Sequence, residues 1–202
     1  MDILLLDIGN VIVSVDFGPF CRAVAGDRED AGGVVRSRYC DGSLKDRLDR
    51  GALAPDEFLR AMADDPATVD APTTFFRDAW QGIFSPMPGS LDGIRALRER
   101  YRIWIMSDTD PLHYAHLVER YSPVREAERR FLSFEHGFLK SEPAAFVHVV
   151  ESSGIDPGRF TLLDDRQVNV DACRRAGMQG ILFTSWDEPG GSATGIPTGG
   201  RA

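Results

Sequence analysis

Short apolar runs, each closed by polar residues, punctuate the chain. Ile3 to Leu6 ends in Asp7-Ile8-Gly9-Asn10, Arg102 to Met106 in Ser107-Asp108, Phe160 to Leu163 in Asp164-Asp165, and Gly180 to Phe183 in Thr184-Ser185. A weaker run from Phe131 to Phe134 precedes His136-Gly137. Runs this short, without polar alternation, predict strands buried on both faces of a parallel sheet. Between them the apolar spacing turns helical. Leu91, Ile94 and Leu97 share one face of 91–100, 144–152 is a second candidate, and 168–176 a third, closed by Gly177 as a C-cap. Strand and helix alternate, which predicts an α/β fold, a doubly wound, Rossmann-like parallel sheet.

The stretch from Asp16 to Ser85 breaks this alternation. It shows helical periodicity and no clear buried strand: 56–62 is one predicted helix, entered through Ala54-Pro55, and 75–84 is another, with Phe76, Trp80 and Ile83 on one face. Pro86-Met87-Pro88-Gly89 then interrupts the chain. The expected organisation is a core of residues 1–15 and 86–186, a helical insertion of 16–85 after the first strand, and a loose tail, 187–202, rich in Gly, Pro, Ser and Thr.

Bulk properties narrow the function classes. With 202 residues the chain suits one good-sized core with an insertion. A net charge of −8 argues against general nucleic-acid binding, which needs a basic surface. The N-terminus lacks a basic lead and carries Asp2 and Asp7, so it is a poor signal peptide, and no apolar stretch approaches the ~20 residues that cross a membrane. Cys21, Cys40 and Cys173 are too few and too dispersed for a disulfide scaffold or a zinc site, which fits a reducing, cytoplasmic compartment. His113 and His116 sit three apart and are read as surface or packing residues.

In open α/β sheets ligands bind beyond the carboxyl ends of the strands. There the sequence delivers Asp7, Ser107-Asp108, Lys140 after the weak third strand, and Asp164-Asp165. An Asp after a strand also serves as a helix cap or turn residue; it is the ordered set that suits phosphoryl transfer. Two separated carboxylates can hold Mg²⁺, which screens phosphate charge from an attacking carboxylate. A Ser hydroxyl and a Lys ammonium can hold phosphate oxygens, the Gly9-Asn10 turn offers backbone N–H groups to the same oxygens, and Asp is a known nucleophile toward phosphorus. Only two of the 23 Lys and Arg residues are lysines, Lys45 and Lys140, which suggests that a compact ammonium is wanted at 140.

With these motifs in order, 3–183 resembles the haloacid dehalogenase-like superfamily: LLLDIGNVIV, IMSDT, the Lys of GFLKSEP, and LLDDRQVN. The DxGNV start resembles the branch that holds bacterial sugar-phosphate phosphatases and the phosphatase-like domain of some epoxide hydrolases, and the insertion resembles their small helical cap. The resemblance implies a magnesium-dependent phosphatase acting on a small phosphorylated metabolite, as a monomer or homodimer. Asp7 would attack phosphorus. Asp7, Asp165 and the Gly9 carbonyl would bind Mg²⁺, with Asp164 and Asn169 supporting them. Ser107 and Lys140, with Gly9, Asn10 and Asp108 alongside, would hold the phosphoryl group.

Three departures qualify that picture. Gly9 stands where most phosphatases of the superfamily carry a second Asp as general acid and base, which suggests a readily departing alcohol, as in a sugar 1-phosphate or acyl phosphate. Asp108 stands where Asn is commoner, and a carboxylate there must turn away, be protonated or meet a cation. Ser141 follows Lys140 where Pro is frequent. The competing readings are a 2-haloacid dehalogenase and a non-catalytic phosphate-binding relative. Phe17, Phe20, Tyr39 and Trp80 are candidates either to select substrate or to form the insertion's own core.

Overall fold

The computed structural model describes residues 1–28 and 31–186. Strand β1 (Asp2–Leu6) opens the chain, and β2 (Val13–Val15) and β3 (Phe84–Pro86) flank the helical segment. Strands β4 (Tyr101–Ser107), β5 (Arg129–Leu132), β6 (Phe160–Asp164) and β7 (Gln179–Leu182) follow. Five strands form one sheet in the order β5-β4-β1-β6-β7, every neighbouring pair parallel. The Rossmann-like α/β architecture expected from the sequence is the one found.

The unbroken apolar runs are explained by this placement. Along β1, Leu4 and Leu6 pack into one layer with Ile103, Ile105 and Leu163, while Ile3 and Leu5 pack into the other with Trp104, Met106, Phe160 and Leu162. Successive side chains point to opposite faces, so a strand covered on both sides must be apolar at every position. Each fully buried leucine contributes about 1.5–3 kcal/mol. The register Leu6↔Ile105 and Leu6↔Leu163 brings the ends of β1, β4 and β6 level, so that whatever follows each strand emerges on one edge.

Two boundaries differ from expectation. β5 lies two residues earlier than the run at 131–134, because its pairing with β4 stops at Ser107↔Leu132. Ser133 then opens a short helix, and its hydroxyl bonds the backbone of Thr109 from both sides, at 3.0 and 3.1 Å. The helix expected over 75–84 occupies Thr73–Gln81. Gly82 ends it, and Phe84 passes into β3, which pairs antiparallel with β2 in a short ribbon at the base of the helical segment. The expected tail, 187–202, lies outside the described residues.

Between β2 and β3 the helices enclose an apolar cluster of their own. It contains Phe20, Tyr39, Phe58, Phe76 and Trp80, with Leu112 contributed from the helix after β4. Three of the four aromatic candidates for substrate contact are thus interior residues: Phe20, Tyr39 and Trp80 are 1% exposed or less, and Phe17 packs at 5.5 Å against the Trp80 ring. His113 is likewise a packing residue, stacked at 4.5 Å on Trp80. The thiols of Cys21 and Cys40 lie 3.9 Å apart within this cluster, both free. No helix among the described residues is long and apolar enough to cross a membrane.

Candidate active site

The carboxyl edge of the sheet gathers the predicted polar residues. Asp7 follows β1 directly, Ser107 and Asp164 end β4 and β6, and Lys140 lies on the segment after β5. Lys140 is the hub. Its ammonium is 2.6 Å from Asp7 Oδ2 and 2.6 Å from Asp164 Oδ2, and the residue is 2% exposed. An ammonium buried so completely persists because two carboxylates surround it. Burial alone would lower its pKa, but Asp164, Asp7 and Asp108 outweigh burial and raise it. Burial pushes the Asp7 carboxyl the other way, up to about 7, against the pull of Lys140 and with the help of Asp164 and Asp165.

The two adjacent acids differ. Asp164 is fully buried and fully engaged: Oδ2 takes Lys140, and Oδ1 accepts from Asn169 Nδ2 and the Arg166 N–H, both at 2.9 Å. Asp165 is partly exposed, and its described bond is from Asn10 Nδ2 at 3.0 Å. One carboxylate oxygen from each of Asp7, Asp164 and Asp165 lies within 4.8 Å of the others. Asp164 accepts three bonds, two of them on Oδ1, whereas each Asp7 oxygen accepts one and Asp165 accepts one, so Asp7 and Asp165 keep more acceptor capacity for a cation. Asn169 Oδ1 is buried without a hydrogen-bond partner among the described residues.

The turn after Asp7 departs from expectation at one position. Asn10 adopts φ 54°, a left-handed conformation that Asn tolerates better than most residues. Its backbone N–H is already donated to Val13 O at 2.6 Å, and its side chain reaches Asp165, so Asn10 does not present a free N–H to a phosphate. Gly9 makes no hydrogen bond through its backbone among the described residues, which leaves its N–H and C=O available. A Cβ at Gly9 would stand 3.3 Å from Val15 Cγ2. The Val15 side chain would have to give way by a few tenths of an ångström before a larger residue fitted at this position.

Asp108 is engaged by the backbone of the Lys140 segment. Its Oδ1 accepts the Lys140 backbone N–H at 2.9 Å, so this carboxylate braces the segment that carries the ammonium. Burial raises its pKa, against Lys140. Ser107 is 3% exposed at the mouth of the same edge.

A residue missed in the sequence is Asp110, fully buried, which caps the next helix by accepting from Leu112 N and His113 N. It also accepts from Trp80 Nε1 at 3.2 Å and faces His113 Nδ1 at 2.7 Å, tying the helical segment to the sheet. Its signal, an Asp before a Pro-initiated helix, is too common to be noticed alone.

The model of the haloacid dehalogenase-like hydrolases matches residues 1–177. The chain belongs to this family. A relative, the D-ribitol-5-phosphate phosphatase of Bacteroides thetaiotaomicron, is 25% identical over 183 residues, covering 87% of this chain and 88% of that protein. The fold is shared with a haloacid dehalogenase family enzyme of the same organism solved with magnesium and inorganic phosphate, with TM-score 0.77, 21% identity, and 94% and 98% of the two chains covered. It is shared more distantly with the L-2-haloacid dehalogenase of Xanthobacter autotrophicus, with TM-score 0.64, 14% identity, and 91% and 77% covered. As a member of the haloacid dehalogenase-like hydrolases, the protein is a hydrolase.

Proposed function

We propose that the protein is a magnesium-dependent phosphatase that cleaves a small sugar or polyol phosphate through a phospho-Asp7 intermediate. One observation carries the reading: Asp7, Lys140, Asp164 and Asp165 converge at the ends of β1, β5 and β6 with Asp7 and Asp165 both able to face a cation. A dehalogenase has no evident use for the Asp165 carboxylate. The relative that acts, by its name, on D-ribitol 5-phosphate supports a hydroxylated substrate.

The residues present fit magnesium. Two carboxylates and the unbonded Gly9 carbonyl are hard oxygen donors, and the unpaired Asn169 Oδ1 lies buried behind them. Mg²⁺ held there would screen phosphate charge and lower the repulsion met by an incoming carboxylate. The remaining steps belong to the chain. The Asp7 carboxylate forms a bond to phosphorus as the ester P–O bond breaks, and the departing alkoxide takes its proton from water. Lys140, fixed between two acids, and the Ser107 hydroxyl hold the non-bridging oxygens, together with the Gly9 N–H. Water then releases inorganic phosphate and restores the Asp7 carboxylate. Gly9 supplies no acid, so alcohols that leave readily are turned over fastest. In this reading residues 1–15 and 86–186 form the catalytic core, and 16–85 a cap that closes over it and excludes water.

Phosphate release from p-nitrophenyl phosphate tests the proposal. Turnover that appears with Mg²⁺ and vanishes with EDTA is expected; a folded, metal-saturated protein without turnover would overturn it. A second consequence concerns pH. With Asp7 raised to about 7 in the metal-free protein, protons compete with the cation below that value. The Mg²⁺ dissociation constant, followed by calorimetry, is expected to rise by about tenfold per pH unit below pH 7 and to flatten above it. A constant independent of pH between 5.5 and 8 would remove Asp7 from the cation site.

A further inference from the structure

The second of the two lysines lies beside the same edge. Lys45 sits on the helix Ser43–Asp49 and places its ammonium 2.6 and 2.5 Å from the two oxygens of Asp49. The pair is neither surface nor core: the side chains are 16% and 12% exposed. The helix packs against the short helix Ser133–His136 that follows β5. At one end Lys45 stands 6.0 Å from the centre of the Trp80 ring, whose Nε1 bonds Asp110, and the negative charges of Asp110 and Asp108 act on its ammonium. At the other end Arg50 donates to Gly137 O at 3.0 Å and to Glu142 Oε1 at 2.6 Å, within the segment that carries Lys140. Gly51, at φ 67°, backs onto the Phe134 carbonyl so closely that a Cβ would not fit. The helix is thus fastened through Arg50 and Gly51 to the segment that carries Lys140, which Asp108 holds from its other side.

Resting on the phosphatase reading, we propose that Lys45 and Asp49 together recognise neighbouring hydroxyls on the leaving group of the substrate. An ammonium has three donors and a carboxylate several acceptor positions, so the pair can donate to one hydroxyl and accept from the next. That is the complement of a vicinal diol, and a sugar or polyol phosphate carries one close to its ester oxygen. The same helix shows what a purely supporting pair looks like. Asp46 and Arg50 have the same i,i+4 spacing, the more exposed side chains and the usual Arg of this chain. A largely buried Lys–Asp pair costs desolvation that a surface pair does not, and binding hydroxyls is a use that offsets it.

The test compares leaving groups rather than total activity. Values of kcat/KM for D-ribitol 5-phosphate and α-D-glucose 1-phosphate are each divided by that for acetyl phosphate, which has no hydroxyl. Lys45→Met and Asp49→Asn are expected to lower the better ratio at least tenfold, through KM, with thermal unfolding confirming the fold. Lys45→Arg keeps the charge and the pairing with Asp49, so it guards against misfolding. It is expected to leave the ratio depressed, because a planar fork cannot seat where a compact ammonium did. Losses shared equally by all three substrates, ratios unchanged in all variants, or full recovery with Lys45→Arg would each overturn it. If the wild type hydrolyses none of the three, the phosphatase reading itself has failed, a result distinct from hydrolysis with unchanged ratios.

Discussion

Asp7→Asn lowers kcat for p-nitrophenyl phosphate by roughly 10⁴-fold or more at saturating Mg²⁺, the scale seen when a covalent nucleophile is removed. The amide keeps the size of the carboxylate, and its oxygen can still accept the Ile8 N–H that Asp7 Oδ1 takes at 2.7 Å. What it loses is the lone-pair charge that attacks phosphorus and one of the two partners of Lys140. Asp164 still holds that ammonium at 2.6 Å, so the fold is retained. Single-turnover kinetics, with a search for an acid-stable, base-labile phosphoprotein, separates this from weak binding: the wild type forms it and the variant does not. Activity of the variant within tenfold of wild type would mean that Asp7 is not the nucleophile.

Lys140→Met is the second large effect, on stability as well as rate. Removing a cation 2% exposed leaves Asp7 and Asp164 facing each other without compensation, a change that costs about 3–5 kcal/mol when a buried pair is broken. The penalty depends on pH with a definite sign. The Asp7 carboxyl is already raised to about 7 with Lys140 present, and without it protonation becomes easier still. A carboxyl raised in the folded state binds its proton there at pH values where the unfolded chain has released it, so stability falls as pH rises through that interval. Urea unfolding without metal should therefore show a larger loss at pH 8 than at pH 6, and Mg²⁺ should recover part of it by neutralising the carboxylates. Turnover falls by about 10³-fold or more through the lost phosphate contact, and Lys140→Arg restores little of either, because a planar fork does not replace a compact ammonium set 2.6 Å from two carboxylates. Equal losses at both pH values would place the cost in packing rather than charge.

What could be read in advance follows from how strongly each element is constrained. β1, β4 and β6 were legible because burial on both faces forces every position to be apolar, and the residue after each such run must meet solvent or a ligand. Asp7, Ser107, Lys140 and Asp164-Asp165 are therefore named by topology once the strands are found. β5 was misplaced by two residues because the edge strand is held from one side only, and its end is set by a Ser133–Thr109 contact that no local pattern encodes. The aromatic residues of the helical segment point inward for a reason invisible in one helix at a time: Phe20, Phe58 and Trp80 meet from three separate helices. The division of labour between Asp164 and Asp165 depends on where Lys140 and Asn169 arrive, which is a long-range property. Asn10 misled because an N–H that looks free in a turn is spent on Val13.

The sheet order carries a consequence for biosynthesis. β1 is made first, yet it sits at the centre, and its two neighbours are β4 and β6. Until residues 101–107 and then 160–164 leave the ribosome, the Ile3–Leu6 segment has two unpaired edges and no cover on either face. Such a strand is a template for wrong pairing. The helical segment that follows encloses its own apolar cluster within 16–85 apart from Leu112, so it can condense while the sheet waits. Synthesis thus separates Asp7 from Lys140 and Asp164 by most of the chain, and the edge that gathers them is assembled only when β6 docks against β1.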